Sequence, residues 1–426
     1  MRRKGHVTRA VGLALESQGP AVRIGEVCEI RTHGGRTRQL AEVVGFTDAR
    51  VLLMPYGVLQ GCEAGCEVIA SRTHADALVG PGLLGQVVDA FGKPLDGSAP
   101  RTGLVRYPLQ PEAINPLHRG AVCEQIETGI RAIDTLLPIG RGQRVGIFSG
   151  SGVGKSTLLG MLTRYLHSDV TVVALVGERG REVKAFVDQS MSVAERARTV
   201  VVAATSDQPP LLRRRAAFYA TAVAEYFRDQ GLHVALLMDS VTRVATAQRE
   251  IGLAAGELPT ARGFTPSVFA LLPQLLERGG VRAAGGSLTA LYTVLVDGDD
   301  MNDPIADSVR AILDGHIVLA RSVAQRGRYP AIDPLQSVSR LVSSLLSPSE
   351  LSTVHEAVSA FAVYEAARDL IDVGAYRAGV RAATDRAIRV NPGLESFLAQ
   401  RADEREGRDA SHHKLREVLK AEGAGL

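Results

Sequence analysis

The chain has 426 residues, of which 45% are hydrophobic and 22% are charged, and its formal net charge is +3. This composition excludes an intrinsically disordered chain, and the near balance of charge argues against electrostatic binding to nucleic acid or to an anionic membrane. Because one hydrophobic core rarely grows beyond about 250 residues, the length predicts two or three domains. No apolar run approaches the roughly 18 residues of a membrane span, so we expect a cytoplasmic protein.

The first predicted unit is a small N-terminal β-barrel at residues 1–80. Short β-stretches such as Ala21–Ile30 and Val51–Met54 alternate with glycine-containing turns in this part of the chain. Strands joined by turns, with no helical pattern between them, are typical of a barrel.

The second predicted unit, at residues 81–346, has an α/β pattern. From Gly140 onward, nearly continuous apolar runs alternate with helical segments, which is typical of a parallel sheet buried on both faces. The predicted strands are Arg144–Phe148, Thr171–Val176, Val200–Ala203, Val234–Met238, Leu288–Val296 and Ile317–Ala320.

The third predicted unit, at residues 347–426, is helical. Apolar residues recur at three- and four-residue spacing over Glu350–Ile371 and Arg377–Val390. The charged stretch Arg401–Lys420 that follows predicts a solvated helix or a frayed end.

A glycine-rich loop follows the strand Val145–Phe148 and precedes the helical run Leu158–Leu166. Its residues are Gly150, Ser151, Gly152, Val153, Gly154, Lys155, Ser156 and Thr157, and Ser149 stands where the strict P-loop motif has its first glycine. In a P-loop the backbone amides face phosphate oxygens, the lysine neutralises the β- and γ-phosphates, and the next hydroxyl is a ligand of Mg2+. The loop predicts that the chain binds and hydrolyses ATP with Mg2+.

Two carboxylates follow predicted strands of the same sheet. Asp239 ends the run Val234–Met238 and is typical of the residue that holds Mg2+ through its water shell, although a helix-capping role is the alternative. Glu178 comes just after Thr171–Val176 and is our candidate for the general base. Because the carboxyl ends of parallel strands meet at one edge, we expect both carboxylates to lie near the P-loop.

Two arginines are further candidates for the catalytic site. Arg179 and Arg243 lie close in sequence to these carboxylates, and either guanidinium can spread the charge of a transferring phosphoryl group. A surface or ion-pair role is the alternative for both.

Together these motifs resemble the type III protein export ATPases, which drive flagellar assembly and the related injectisomes. The matching segments are GRGQRVGIFSGSGVGKSTLLGM at 140–161, VGERGREV at 176–183, LLMDSVTRVATAQREI at 236–251 and DGDDMNDPIADSVRAILDGHIVLAR at 297–321. The resemblance implies a fold similar to the catalytic subunit of rotary ATP synthases. That fold is an N-terminal β-barrel, a RecA-like nucleotide domain with a parallel sheet and a C-terminal helical domain, assembled as a homohexamer.

The resemblance also implies roles for single residues. Lys155 and Ser156 would bind phosphate and magnesium, Glu178 would be the catalytic base, and Arg243 would touch the γ-phosphate. Arg340, in the segment SVSR, looks like the arginine finger that reaches the site of the neighbouring subunit.

Tyr329 occupies the place where the related ATPases stack an aromatic ring on adenine. Packing in the core before Pro330 is the alternative reading of this residue.

By the same resemblance, the protein would act at the cytoplasmic face of the inner membrane export apparatus and release chaperones from export substrates. Its partners would be chaperone–substrate complexes, a central coiled-coil stalk protein, a peripheral-stalk regulator and the membrane export gate. No nucleic acid is expected. The matching segments do not distinguish a flagellum from an injectisome.

Three alternatives remain open at this point: a catalytic subunit of a rotary proton- or ion-translocating ATPase, an RNA-translocating hexameric ATPase, and a non-catalytic ring subunit. The first is disfavoured by the GERGREV and GDDMNDPIAD segments, and by a complete catalytic set in the same chain as Arg340. The second would need stacked aromatics in the barrel, where only Phe46, Tyr56 and Phe91 occur in the first 100 residues. The third is disfavoured by the intact set itself.

Overall fold

The computed structural model describes residues 3–31, 38–47, 50–58, 61–71, 76–99, 102–283 and 285–420. Six antiparallel strands near the N-terminus close into a barrel in the spatial order β1-β2-β5-β4-β3-β6. They are β1 (Lys4–Val11), β2 (Ala14–Gln18), β3 (Val27–Arg31), β4 (Arg38–Thr47), β5 (Arg50–Pro55) and β6 (Glu67–Ala70). The predicted barrel is therefore confirmed, but only the end of the stretch Ala21–Ile30 is strand, because β3 begins at Val27.

Four short strands connect the barrel to the central unit. They are β7 (Asp76–Val79), β8 (Val87–Val88), β9 (Val105–Pro108) and β10 (Arg119–Gly120). The strands β7 and β9 form a separate antiparallel pair, whereas β8 joins one edge of the large central sheet.

The central unit is a twisted α/β layer structure whose strands run in the order β18-β17-β11-β16-β14-β12-β13-β8. Its elements are α1 (Arg131–Leu136), β11 (Arg144–Ser149), α2 (Lys155–Tyr165), β12 (Val170–Val176), α3 (Gly180–Gln189), α4 (Val193–Ala197), β13 (Thr199–Ala204), α5 (Pro210–Asp229), β14 (His233–Asp239), α6 (Val241–Ala254), α7 (Pro266–Leu276), β15 (Gly280–Arg282), β16 (Ser287–Leu295), α8 (Pro304–Ile312), β17 (Gly315–Leu319), α9 (Arg321–Gln325) and β18 (Ile332–Ser339).

All six strands predicted for this unit are present and run parallel to one another. Their side chains are almost all buried, since helices cover both faces of the sheet. The antiparallel edge strand β18 was not predicted. Its mixture of buried and exposed positions lacks the continuous apolar run by which the inner strands were recognised.

The C-terminal unit consists of α10 (Val342–Leu345), α11 (Pro348–Asp372), α12 (Ala382–Leu398) and α13 (Arg408–Lys420). Ser347 and Glu350 form a reciprocal capping box at the start of α11. The predicted second helix is shifted, because it begins at Ala382 rather than at Arg377 and continues to Leu398. None of the helices among the described residues is long and apolar enough to cross a membrane.

The helix predicted within the charged stretch Arg401–Lys420 is present as α13, but the prediction that it is solvated was wrong for one of its faces. Its helix α13 buries Leu415 and Leu419 in the same apolar core that contains α1, α2 and the inner face of the sheet. These two leucines are four residues apart and so share one helix face, whereas the charged residues occupy the remaining surface. Ser411 and His412 are buried on the same side, so that one face of the helix docks although its average composition is polar.

Candidate active site

The glycine-rich loop joins β11 to α2 at the carboxyl edge of the sheet. Gly152 and Gly154 have φ angles of +78° and +94°, a region that glycine adopts without strain. Gly154 is the N-cap of α2, which begins at Lys155, while the buried Val153 anchors the loop to the core. The hydroxyl-bearing residues Ser156 and Thr157 are exposed on the first turn of the helix. The loop therefore presents free backbone amides and hydroxyls to an anion.

Three charged side chains meet beside this loop. Lys155 Nζ lies 2.6 Å from Asp239 Oδ1 and 3.1 Å from Glu178 Oε1. Thr293 on the adjacent strand β16 donates its hydroxyl hydrogen to Asp239 Oδ1 over 2.6 Å. Sheet register brings the two carboxylates together, since Asp239 pairs with Leu175 near the end of β12. Ser240 is the N-cap residue of α6, so the alternative of Asp239 as that helix cap is wrong.

Burial and charge shift the pKa values of this cluster. Burial raises the pKa of Asp239 and of Glu178, although the neighbouring Lys155 opposes both shifts. Burial alone would lower the pKa of Lys155, but the carboxylates of Asp239 and Glu178 outweigh it, and that pKa is raised. The cluster therefore keeps Lys155 protonated. Its ammonium group can leave the two carboxylates and bind a more highly charged anion, such as a polyphosphate.

The cluster opens into a cavity of about 320 Å³ between α2 and α3, lined by Ser156, Thr157, Glu178 and Asp239 among others. A hydroxyl and a carboxylate are the hard oxygen donors that Mg2+ prefers. Within the described ranges, no group of three His, Cys, Asp or Glu side chains is arranged to hold a metal ion. This donor set fits Mg2+ bound through one or two protein oxygens together with phosphate oxygens and water.

The two candidate arginines lie in different surroundings. The aliphatic part of Arg243 packs on Gly177, since a Cβ atom placed on that glycine would lie 2.8 Å from Arg243 Cβ. This contact places the start of the Arg243 side chain beside the residue that precedes Glu178. Arg179 is 76% exposed and lies 4.0 Å from Glu182. The structure therefore brings Arg243 to the edge of the cluster but leaves Arg179 on the surface.

Tyr329 lies against the P-loop rather than in the core. A Cβ atom placed on Gly154 would be 3.5 Å from Tyr329 Cδ1, and the tyrosine is 45% exposed. This exposure argues against the core-packing alternative, because a core tyrosine would be largely buried.

An ion pair that the sequence reasoning missed braces the other side of the loop. Arg321 Nε lies 2.9 Å from Asp299 Oδ2, and Arg321 Nη2 donates to the carbonyl oxygen of Ser151 over 3.3 Å. A Cβ atom on Gly150 would lie 2.2 Å from Asp299 Oδ1, so a larger residue at this position would displace the Asp299 side chain. No local sequence pattern indicates this contact, because it depends on the pairing of β11 with β17, the strand that precedes Arg321.

Arg340 lies far from the P-loop of its own chain. It follows Ser339, which pairs with Gly315 at the amino end of β17, whereas Ser149 before the P-loop pairs with Leu319 at the carboxyl end. These ends are roughly 13 Å apart at about 3.3 Å per residue. Arg340 is exposed, and its guanidinium donates to the carbonyl oxygen of Arg310. It therefore faces outward at the edge opposite to Lys155.

Comparison with protein families finds three consecutive matches along the chain. The β-barrel domain of the ATP synthase alpha/beta family matches residues 7–72, and the nucleotide-binding domain of that family matches residues 129–339. The T3SS EscN ATPase C-terminal domain matches residues 346–417.

Similar proteins match over nearly their whole length. The flagellum-specific ATP synthase of Bacillus subtilis is 50% identical, with 95% of this chain and 92% of the relative covered. That of Treponema pallidum is 52% identical, with coverages of 94% and 90%. The type 3 secretion system ATPase of Xanthomonas euvesicatoria is 47% identical, with coverages of 95% and 91%.

Two solved structures have the same fold as this chain. The assembled ATPase EscN from the enteropathogenic E. coli type III secretion system is 40% identical, with a TM-score of 0.93 over 97% of this chain and 100% of that one. EscN in complex with its central stalk EscO is 39% identical, with a TM-score of 0.89 and the same coverages.

Proposed function

The chain belongs to the family of type III protein export ATPases, and from this premise we propose that its hydrolysis of ATP energises protein export through a flagellar apparatus. The observation that carries the proposal is the near full-length identity of 50% and 52% to two flagellum-specific ATP synthases. The identity of 47% to a type 3 secretion system ATPase makes an injectisome the second candidate.

We propose that the P-loop, residues Gly150 to Thr157, binds the phosphates of ATP. Lys155 neutralises the β- and γ-phosphates, and Ser156 with Asp239 holds Mg2+. Mg2+ supplies positive charge to the phosphate oxygens when it is bound. The Tyr329 ring contacts adenine, which its position beside Gly154 and its exposure support.

Glu178 is the proposed general base. Its Oε1 lies 3.1 Å from Lys155 Nζ, so it loses this partner when the ammonium moves to phosphate, and it can then accept a proton from the attacking water. Arg243 contacts the γ-phosphate from the side of Gly177. Arg179 also remains a proposed catalytic residue, but its exposure means that it reaches the nucleotide only if its side chain moves or a neighbouring subunit orders it.

Arg340 is the proposed arginine finger of a homohexameric ring. Its position at the edge opposite to Lys155 supports action on the site of an adjacent subunit and not on its own. An arginine finger typically contributes about 1,000- to 100,000-fold in rate.

The proposed cellular role is release of chaperones from export substrates at the cytoplasmic face of the inner membrane export apparatus. The proposed partners are chaperone–substrate complexes, the membrane export gate, a peripheral-stalk regulator and a central coiled-coil stalk protein. The last is supported by the similar protein EscN, which is solved in complex with its central stalk EscO.

A rotary proton- or ion-translocating ATPase remains the principal alternative, since the barrel and nucleotide-binding domains match the ATP synthase alpha/beta family. The match of residues 346–417 to the T3SS EscN ATPase C-terminal domain favours export. We retain 1–80, 81–346 and 347–426 as proposed domain limits. They are supported by the end of the barrel at Ala70 and by the start of the C-terminal match at residue 346.

The proposal is tested by deleting the gene in its source organism, restoring it from a plasmid as the control, and measuring swimming together with the proteins released into the medium. Loss of swimming and of external flagellar proteins is the expected result. Survival of swimming with loss of another secreted set would assign the protein to an injectisome. Loss of neither would contradict an export function and favour the rotary alternative.

A further inference from the structure

A short loop of the C-terminal unit, residues 399–407 between α12 and α13, contacts the nucleotide-binding unit close to the P-loop helix. The carbonyl oxygen of Ala402 accepts hydrogen bonds from Arg164 Nη2 over 2.8 Å and from Tyr165 Oη over 3.2 Å, both at the end of α2. Arg131 at the start of α1 forms ion pairs with Glu404 at 2.6 Å and with Glu406 at 2.8 Å. We call residues 399–407 the junction loop.

Gln400 is the residue of the junction loop that joins the most separate segments. Its side chain is buried, with Oε1 accepting from the backbone nitrogen of Arg131 over 2.8 Å. Its Nε2 donates to the carbonyl oxygens of Gly129 over 2.8 Å and Glu404 over 3.0 Å. Its backbone nitrogen donates to the carbonyl oxygen of Tyr329 over 2.8 Å. One residue thus connects the start of α1, the junction loop and the tyrosine beside the P-loop.

A second contact ties the same segment to the C-terminal unit. Arg328, which precedes Tyr329, is buried, and its Nε lies 2.9 Å from Glu395 Oε2 on α12. Tyr329 as a residue is 45% exposed, so packing of its side chain does not by itself fix its position, and the contacts of its main chain also matter. On one side this main chain is held by α12 and the loop that follows it, and on the other by Ala320, whose backbone nitrogen donates to the carbonyl oxygen of Ala331 over 2.9 Å.

We infer that Gln400 is a positioning residue that holds the main chain of Tyr329 so that the ring faces the base of a nucleotide bound at the P-loop. The inference rests on the role proposed above for Tyr329. The four hydrogen bonds of Gln400 make the ring position depend on the docking of the junction loop.

A purely structural role for Gln400 makes a different prediction. If Gln400 only stabilised the fold, its replacement would lower the melting temperature, while folded enzyme would keep its KM for ATP. A positioning role raises the KM and leaves kcat nearly unchanged, because Lys155 and Glu178 are held by other elements. A positioning role also requires that replacing Gln400 no longer change the KM for ATP once the Tyr329 ring has been removed.

The test compares Gln400→Met, which keeps the length of the side chain but removes its amide, with the control Arg401→Met at the adjacent exposed position. Steady-state ATP hydrolysis is measured at protein concentrations at which all variants show the same assembly state. Gln400→Met is expected to raise the KM about three- to tenfold, which is about 0.6–1.4 kcal/mol, with kcat within about twofold. Arg401→Met should resemble the wild type.

The same pair of substitutions is then made in a Tyr329→Ala background, where Gln400→Met should cause no further rise in KM. An unchanged KM in folded Gln400→Met, or an equal rise without the tyrosine, would overturn the inference. If Gln400→Met does not fold, Gln400→Asn, which retains the amide on a shorter chain, replaces it. Absence of hydrolysis by the wild type would instead contradict the proposed function, and with it the role of Tyr329.

Discussion

Lys155 is held between two buried carboxylates, and this arrangement accounts for how the site responds to its substrate. The raised pKa values of Asp239 and Glu178 reflect the cost of burying two negative charges with one lysinium between them. Phosphate oxygens that withdraw the ammonium leave the carboxylates uncompensated. The resulting negative charge favours a divalent cation at Asp239 and a proton donor at Glu178. The same residues thus form an ion-pair network in this structure and are the proposed catalytic set when ATP is bound.

Replacing Glu178 by Gln is expected to stop turnover and leave nucleotide binding almost unchanged. The amide keeps the shape of the side chain but cannot accept the proton of water, and general bases contribute about 100- to 10,000-fold in rate. The measurement is kcat for ATP hydrolysis beside the Kd of a fluorescent ATP analogue. Glu417→Gln on α13, away from this cavity and with its side chain 65% exposed, is the control. Near-normal kcat in Glu178→Gln would remove Glu178 from the mechanism.

His233, at the start of β14, predicts a pH dependence of stability. Burial, followed by the nearby Arg141, lowers its pKa to about 4, and its Nδ1 lies 2.7 Å from Ser287 Oγ on β16. The unfolded chain therefore binds more protons than the folded one below about pH 6.5, so stability falls as the pH decreases from there towards about 4.

The His233→Gln variant is expected to lose part of this dependence. Its melting temperature, measured by scanning calorimetry from pH 7 to pH 5, should fall less than that of the wild type. His413→Gln, at a side chain that is 67% exposed, is the matched control. An identical fall in wild type and His233→Gln would mean that this histidine does not titrate on unfolding.

At the scale of elements, the predictable features were those with a strong local pattern. Continuous apolar runs identified the inner strands, and the P-loop was recognised from its glycines and lysine. The edge strand β18 was missed because it is half exposed and has no continuous apolar run. The bounds of α12 were missed because Pro392, inside the helix, interrupts the helical pattern. The ion pair of Asp299 with Arg321, and the hydrogen bond from Arg321 to the P-loop, depend on the order of strands in the sheet. No local sequence pattern encodes that order.

The docking of α13 is tested by Leu415→Ala, because Leu415 is fully buried in the core shared with α1 and α2. Removal of a buried leucine side chain typically costs about 2–5 kcal/mol, so the melting temperature should fall clearly. Glu417→Ala on the exposed face of the same helix should leave it nearly unchanged. A melting temperature of Leu415→Ala equal to the wild type would show that α13 is not docked in solution.

At the scale of the whole molecule, the two ends of the sheet carry different parts of the proposed active site. Lys155, Glu178 and Asp239 lie at the carboxyl edge, whereas Arg340 lies at the opposite edge. One chain therefore has its nucleotide site at the carboxyl edge of the sheet and the guanidinium of Arg340 at the opposite edge. In the proposed ring of identical subunits the two edges meet at each subunit interface, so that one chain carries the full proposed set.

Mixing experiments test this division between subunits. Specific activity of the wild type should rise with protein concentration as rings form, and inactive Arg340→Ala subunits should lower the activity of mixed rings by more than simple dilution. Arg310→Ala, next to Arg340 in space, is the control. Activity that is independent of concentration and of mixing would contradict a finger acting between subunits.

The measurement that tests the central claim most directly is protein export in a deletion strain that carries either the wild-type gene or Glu178→Gln at equal protein levels. Purified Glu178→Gln must bind nucleotide, so that only turnover differs between the two strains. If hydrolysis at this site energises flagellar export, flagellar proteins in the medium and swimming should be strongly reduced with Glu178→Gln and restored with the wild type. Equal export from both strains would contradict the claim that ATP hydrolysis by this chain drives export.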